Sequence, residues 1–191
     1  MRNDPWLERW LPLIHQHAGK RQILEIGCGW GWDTQVLTDA GLNVFAIDLR
    51  DVSQAQTLAP KATYQKVDVQ DFLRTSLTGY PVIIASLSLH YLPWEQTHNV
   101  IESIYQTLEP GGIFLFRVNS TEDVNHGAVG HPEIDRHFYQ VGEHTKRFFD
   151  ADDLKRLFGD KHKWKPLNQE KLAIDRFKRL KTVWELVFER E

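Results

Sequence analysis

The chain has 191 residues, 41% hydrophobic and 26% charged, with a formal net charge of −3 and one cysteine. This composition excludes disordered and fibrous classes and gives the expectation of one well-buried domain, residues 1–191. The small negative charge offers no general attraction to nucleic acid or an anionic membrane, and no apolar run of about eighteen residues marks a membrane span. Cys28 alone can form no intrachain disulfide, and "MRNDPWLERWLP" carries charges where a leader would be apolar, so a cytoplasmic protein is expected.

Asp4 followed by Pro5 predicts a helix start, because Asp caps free amides and Pro fits the first turn. Trp6, Trp10 and Ile14 share one face of this N-terminal helical cap, about residues 4–19, which Pro12 is expected to kink or divide. The run "RQILEIG" then predicts a strand ending in "GCGWGWD", where Gly27, Gly29 and Gly31 alternate with other residues, Trp30 among them. Strands are predicted again at Leu42–Asp48, Ala62–Asp68, Pro81–Ser88 and Gly111–Val118, with helices between them. The clearest helix runs from about Pro93 to Leu108, with Trp94, Ile101, Ile104, Tyr105 and Leu108 as its apolar stripe. Apolar strands alternating with helices predict a doubly wound α/β domain whose parallel sheet is covered on both faces.

Residues 119–149 break this rhythm. They are polar, rich in Gly and His and without a sustained period, and their length predicts a lid or substrate loop. "DADDLKRLFG" reads as a helix with an acidic first turn and a Gly stop, and "KTVWELVFERE" closes the chain as a strand. The basic stretches "KHKWK" (Lys161–Lys165) and "RFKRLK" (Arg176–Lys181) read as solvated faces.

In an open parallel sheet a ligand binds at the carboxyl ends of the strands, where strand order reverses, and the glycine loop lies at such an end. Dinucleotides and S-adenosylmethionine both use loops of this kind. The dinucleotide spacing Gly-x-Gly-x-x-Gly needs glycine at 32 after Gly27 and Gly29, but that residue is Trp32 and Gly31 comes one position early. Asp33, in the first turn of the next helix, would repel a pyrophosphate yet suits a sulfonium and an ammonium. No Lys-Ser or Lys-Thr follows, so a P-loop is excluded.

Five segments then stand in the order and spacing of a known family: "EIGCGWG" (Glu25–Gly31), "AIDLR" (Ala46–Arg50), "VDVQDF" (Val67–Phe72), "SLSLHYLP" (Ser86–Pro93) and "LEPGG" (Leu108–Gly112). Through them the chain resembles the class I S-adenosylmethionine-dependent methyltransferases, over about residues 20–120. The resemblance implies a Rossmann-like fold with a mostly parallel seven-stranded sheet, and S-adenosyl-L-methionine as cofactor. It also implies that Gly27, Cys28, Gly29 and Gly31 bring the backbone against the methionyl part, with Glu25 holding that loop and its ammonium. Asp48 is expected on the ribose hydroxyls, Leu49 on the adenine face, Asp68 on the adenine amino group, Val69 completing the adenine pocket and Ser86 under the methionine tail. Taken singly, Asp48 and Asp68 could equally be turn residues or helix caps, and the glycines a tight turn. Where the family often has an acid entering the fourth strand, this chain has Tyr80 and Pro81.

The family's branch for nucleobase and glutamine amino groups carries Asn/Asp-Pro-Pro-aromatic where this chain has "SLSLHYLP", so a small-molecule acceptor is expected and no nucleic-acid partner. His90 is the candidate catalytic base, with Tyr91 beside it. Arg117 reads as a ligand for an anionic substrate group or as a structural ion pair. Tyr139 heads the candidates of the long segment, with His126, His144 and Arg147. Trp30 is a candidate wall of the transfer pocket, together with Trp6 and Trp10, whereas Trp32 reads as core packing. The histidines lack metal-ligand spacing, so no metal is expected. "RVNSTEDVNHGA" followed by "HTKRFFDADDL" is similar to the tellurite-resistance-type branch, which implies a compact acceptor with a soft nucleophilic atom. Two other readings stay open at this level: a nicotinamide-dependent oxidoreductase, and a non-catalytic S-adenosylmethionine-binding partner subunit.

Overall fold

The structure, a computed structural model, describes residues 4–76, 79–159, 162–176 and 178–191. Lys161 of the first basic stretch and Phe177 of the second lie outside the described residues. The strands are β1 (Gln22–Ile26), β2 (Asn43–Asp48), β3 (Thr63–Lys66), β4 (Tyr80–Ser86), β5 (Leu108–Asn119), β6 (Glu133–Asp135), β7 (Phe138–Val141), β8 (His144–Arg147), β9 (Trp164–Arg176) and β10 (Arg179–Arg190). The helices are α1 (Leu11–Ala18), α2 (Trp32–Asp39), α3 (Ser53–Leu58), α4 (Val69–Thr75), α5 (Trp94–Thr107) and α6 (Ala151–Phe158). The main sheet has seven strands in the order β3-β2-β1-β4-β5-β10-β9. β1 to β5 pair in parallel, and β10 runs antiparallel between β5 and β9.

Side chains on a strand alternate between faces, so each central strand feeds two cores. Leu24, Ile83, Phe114 and Phe116 pack on one face with Ile101 and Ile104 of α5. Ile23, Val82, Ile84, Ile113 and Leu115 pack on the other with Ile14 of α1 and Leu37 of α2. This two-sided burial is why "PVIIAS" and "IFLFRV" are unbroken apolar runs rather than alternating ones. α6 begins as predicted, with a reciprocal capping box between Asp150 and Asp153.

Three expectations need correction. Asp4 caps no helix: a 3-10 turn at Glu8–Trp10 precedes α1, Pro12 lies in the first turn of α1, and the Asp4 carboxylate instead meets Arg117. Residues 119–149 are not an irregular loop throughout, because Glu133 to Arg147 form the three-stranded antiparallel sheet β6-β7-β8. Of the two basic stretches, Trp164 and Lys165 open β9, Arg176 ends it, and Arg179 to Lys181 open β10. Their charge hid the strands because β9 is a sheet edge, where Lys165, Glu170 and Lys171 stand exposed and discourage further pairing.

Candidate active site

Strand order reverses between β1 and β4, and the glycine loop leaves β1 at that point. Gly27 (φ +78°) and Gly31 (φ +84°) are left-handed and crowded: a Cβ on Gly27 would lie 2.2 Å from that of Ser88, and one on Gly31 2.8 Å from the Ala55 Cα. Only at Gly29 is the space open apart from the tip of Arg50, at 4.0 Å. Gly27 and Gly31 therefore serve close packing of the protein on itself, and Gly29 is the position that leaves room for a ligand.

The loop's amides point inward. The N–H groups of Gly27 and Cys28 donate to the Ile47 carbonyl (2.7 and 3.2 Å), that of Gly31 to the Cys28 carbonyl (2.9 Å) and that of Gly29 to Asp48 Oδ2 (2.8 Å). A loop that cradles phosphate aims such donors outward. The carboxylates of Glu25, Asp33 and Asp48 and the guanidinium of Arg50 lie around this loop, Arg50 standing 3.7 Å from Asp48. Glu25, buried, accepts from Thr34 Oγ1 at 2.6 Å, and Asp33, buried, from Trp6 Nε1 at 3.3 Å. Burial, and then the negative charges of Glu25 and Asp48, push the Cys28 thiol far above its usual range, which leaves it protonated and unreactive.

Asp48, at the end of β2, takes the Gly29 amide on one oxygen and the Arg50 amide on the other, the latter also at 2.8 Å. Each oxygen keeps a second lone pair, so both can still accept from a ligand. Leu49 follows with 65% of its surface exposed, an apolar face beside a polar anchor. Asp68 caps α4, accepting from the Gln70 amide at 2.8 Å through Oδ1, and Val69 opens that helix. The capping reading of Asp68 thus holds, and its Oδ2 is not used by that bond.

β4 ends at Ser86, whose buried Oγ has no partner among the described residues. Leu87 then takes φ +53°, a conformation that costs a leucine energy and commonly marks a functional site. Its amide is held by the Arg117 carbonyl at 2.8 Å, and Ser88 Oγ donates to Ile26 at 2.8 Å. The following 3-10 turn (Leu89–Tyr91) buries His90, whose ring lies 4.2 Å from that of the half-exposed Tyr91. Nδ1 of His90 has no partner among the described residues. Burial first, then the positive charges of Lys181, Lys146 and Arg176, hold its pKa well below the ordinary 6.5, so the ring is neutral at pH 7.

Other candidates separate from this group. Arg117 is fully buried, 3.0 Å from Asp4 and 3.6 Å from Glu185, with its guanidinium 4.6 Å over the Trp6 ring. It fastens the N-terminal segment, and the substrate-anion reading gives way to the ion-pair one. Trp6 and Trp10 belong to the same clasp, their indoles bonded to Asp33 and Glu185, and they join the core cluster of the α1 face. Trp30, 59% exposed, stands outside that cluster, and Trp32, 38% exposed, is not core packing. Tyr139 packs on Phe148 within the small sheet, and burial and Glu133 raise its hydroxyl pKa; its contacts are those of that sheet and not of the glycine loop. Arg147 is structural too, donating to the Arg136 carbonyl and lying over Phe138. His137, Asp150 and Asp153 converge, but Asp150 and Asp153 cap α6 and pair with Arg136.

Sequence reasoning missed Asp123 and Lys146, and read Lys181 as solvated. Lys181 is buried and 3.1 Å from the fully buried Asp123. Nothing in the local sequence signals this pair, whose members are 58 residues apart.

A reversed strand order, a glycine loop with inward amides, and a carboxylate at the end of the second strand define a Rossmann-like nucleoside-cofactor domain that is not built for pyrophosphate. The family model described as "Methyltransferase domain" matches residues 2–161, and the chain belongs to this family, within the class I S-adenosylmethionine-dependent methyltransferases, whose cofactor is S-adenosylmethionine. It is 28% identical over 202 residues to the tRNA N(3)-methylcytidine methyltransferase trm140 of Schizosaccharomyces pombe, covering 94% of this chain and 65% of that protein. The chain spans 39% to 65% of the length of the curated relatives it matches. The solved Burkholderia thailandensis 1,6-didemethyltoxoflavin-N1-methyltransferase, with bound 1,6-didemethyltoxoflavin and S-adenosylhomocysteine, has a TM-score of 0.72 at 18% identity, covering 96% of this chain and 77% of that one. TehB from Haemophilus influenzae has a TM-score of 0.70 at 14% identity, covering 95% and 61%. These two likenesses are of fold. Among the described residues, no helix is long and apolar enough to cross a membrane.

Proposed function

We propose that this chain transfers the methyl group of S-adenosylmethionine to a small-molecule acceptor, in a cytoplasmic setting that suits its single thiol. The observation that carries the reading is the loop whose amides turn inward, with Glu25, Asp33 and Asp48 around it outnumbering the nearby cation, Arg50. That field suits a ligand bearing a sulfonium and an ammonium and opposes a pyrophosphate.

Bound S-adenosylmethionine supplies an activated methyl on a sulfonium leaving group. In this reading the backbone of Gly27, Cys28, Gly29 and Gly31, braced by Glu25, holds the methionyl end. Asp48 accepts from the ribose hydroxyls, Leu49 lies against adenine, Asp68 and Val69 take its polar edge, and Ser86 supports the methionine tail. The acceptor's nucleophilic atom bonds to the methyl carbon while the carbon–sulfur bond breaks, its electron pair going to sulfur. Positioning and exclusion of water do most of the work. An acceptor that carries a proton gives it to His90, beside Tyr91. The segment 119–149 and the cap 4–19 close the acceptor side of this one unit. The resemblance to the tellurite-resistance-type branch supports a compact acceptor. A net charge of −3 gives no general attraction to RNA, which supports a small acceptor.

Calorimetry with S-adenosylmethionine and NAD tests the cofactor. Binding of the former and not the latter is expected, and preference for NAD would sink the proposal. Asp48→Ala should weaken S-adenosylmethionine by about 1.5–3 kcal/mol, as loss of hydrogen bonds to a charged group does. Cofactor binding without methylated product from a broad panel of thiols, amines and hydroxyl compounds would instead favour a partner subunit.

A further inference from the structure

Along the carboxyl edge of the sheet the chemistry changes sign. The glycine loop and its carboxylates follow β1 and β2, and His90 follows β4. Asp123 follows β5, Lys181 lies near the start of β10 and Arg176 ends β9. Val183 pairs with Asn119, the last residue of β5, and Arg179 with Arg176, so Lys181 and Arg176 lie past the end of β5, on the ligand side. β8 delivers Lys146 to the same place, because Thr145 Oγ1 donates to the Tyr91 carbonyl and the His144 ring meets that of Tyr91 at 6.4 Å.

We propose that the methyl acceptor carries a compact anionic group, separate from the atom that is methylated, and that Lys181 and Lys146 bind it beside His90. This rests on the methyltransfer reading above and names its substrate class. Lys181 is 6% exposed and Asp123 0%, so the pair is buried, and Asp123 also accepts from the Asn125 amide at 3.2 Å. A structural role would be complete with these two residues. Lys146, half-buried, makes no close ion pair among the described residues; it shares the Asp123 charge with Lys181 and so adds a second ammonium to the same region. The neighbouring imidazoles add no further positive charge: His90 and His126 are both held toward the neutral form, each chiefly by burial, and His126 Nε2 is buried without a partner among the described residues. Bringing like charges together away from water is costly, and an anion offsets that cost. Burial, with Arg176 and Lys146 adding to it and Asp123 opposing, moves the Lys181 ammonium down to about 8. Ammonium groups are compact point charges, suited to a carboxylate, sulfonate or phosphate. Sheet order puts this anchor on the side of His90 away from the glycine loop, so the anionic end and the reacting atom are held apart.

The test uses the full chain saturated with S-adenosylhomocysteine, titrated with 3-mercaptopropionate, 3-mercaptopropionamide and cysteamine, compounds of similar size that are anionic, neutral and cationic. The anion should bind about tenfold tighter than the amide, the scale of one charge-assisted contact. Lys146→Gln, which strands no buried carboxylate, should shrink that ratio at least threefold while S-adenosylhomocysteine affinity stays unchanged. Equal or weaker binding of the anion, or a ratio untouched by Lys146→Gln, overturns the anionic anchor. Failure to bind S-adenosylhomocysteine overturns the underlying cofactor reading instead.

Discussion

The two halves of the ligand edge are built on opposite plans. On the β1–β3 side each carboxylate of the proposed cofactor site is already held by a donor: Glu25 by Thr34, Asp48 by the Gly29 and Arg50 amides, Asp68 by Gln70. On the β4–β10 side polar atoms are buried without partners among the described residues, at Ser86, His90, Arg117 and His126. The first half is preformed for one ligand by contacts short in sequence. The second gathers groups from distant parts of the chain, and its buried charges favour a particular partner over a rigid cradle. In the proposed function the first half takes the cofactor, which relatives share, and the second takes the acceptor, which differs between them.

The sharpest way to break this contrast is Arg117→Met. Because it removes the fully buried cation that bridges Asp4 and Glu185, unfolding in urea should show a loss of about 3–5 kcal/mol. Unchanged stability with lost turnover would return Arg117 to the acceptor site. Next comes a pair of glycine changes within one loop. Gly27→Ala meets Ser88 and should cost about 3 kcal/mol of stability, the sum of left-handed strain and overpacking, whereas Gly29→Ala, in open space, should cost about 1 kcal/mol. Equal costs would mean the loop is not divided between packing and ligand. A pH series addresses His90. Since its folded pKa is depressed below 6.5, its contribution is fully present above that pH and lost as pH falls below it. Wild-type stability should therefore drop more steeply below pH 6.5 than that of His90→Gln; parallel curves would show that His90 titrates normally. Smallest is Trp30→Ala, which should change stability by less than about 0.5 kcal/mol, as exposed positions do. Normal cofactor affinity with reduced turnover would give Trp30 a place at the acceptor, and normal turnover would remove it.

Legibility followed the same division. Six of the seven main strands, α5 and the α6 cap were readable because period, apolar runs and capping residues act over a few positions. β9 was missed because an edge strand carries its charges outward and looks like a solvated face. The small sheet was missed because strands of three or four residues, such as "EID" and "HTKR", are too short to show alternation. Asp48 and Asp68 were legible as strand-end acids, but their present donors were not, and Arg117 could not be assigned until Asp4 was seen to reach it.

The sequence by itself determined the doubly wound class, the glycine loop and the family, since each depends on residues near one another in the chain. Only the tertiary structure decided which glycines pack and which leaves space, that the loop's amides turn inward, and that Lys181 is buried against Asp123 rather than solvated. Those outcomes depend on what folding brings across a 2.2 Å or 3.1 Å gap, and sequence separation carries no information about such distances.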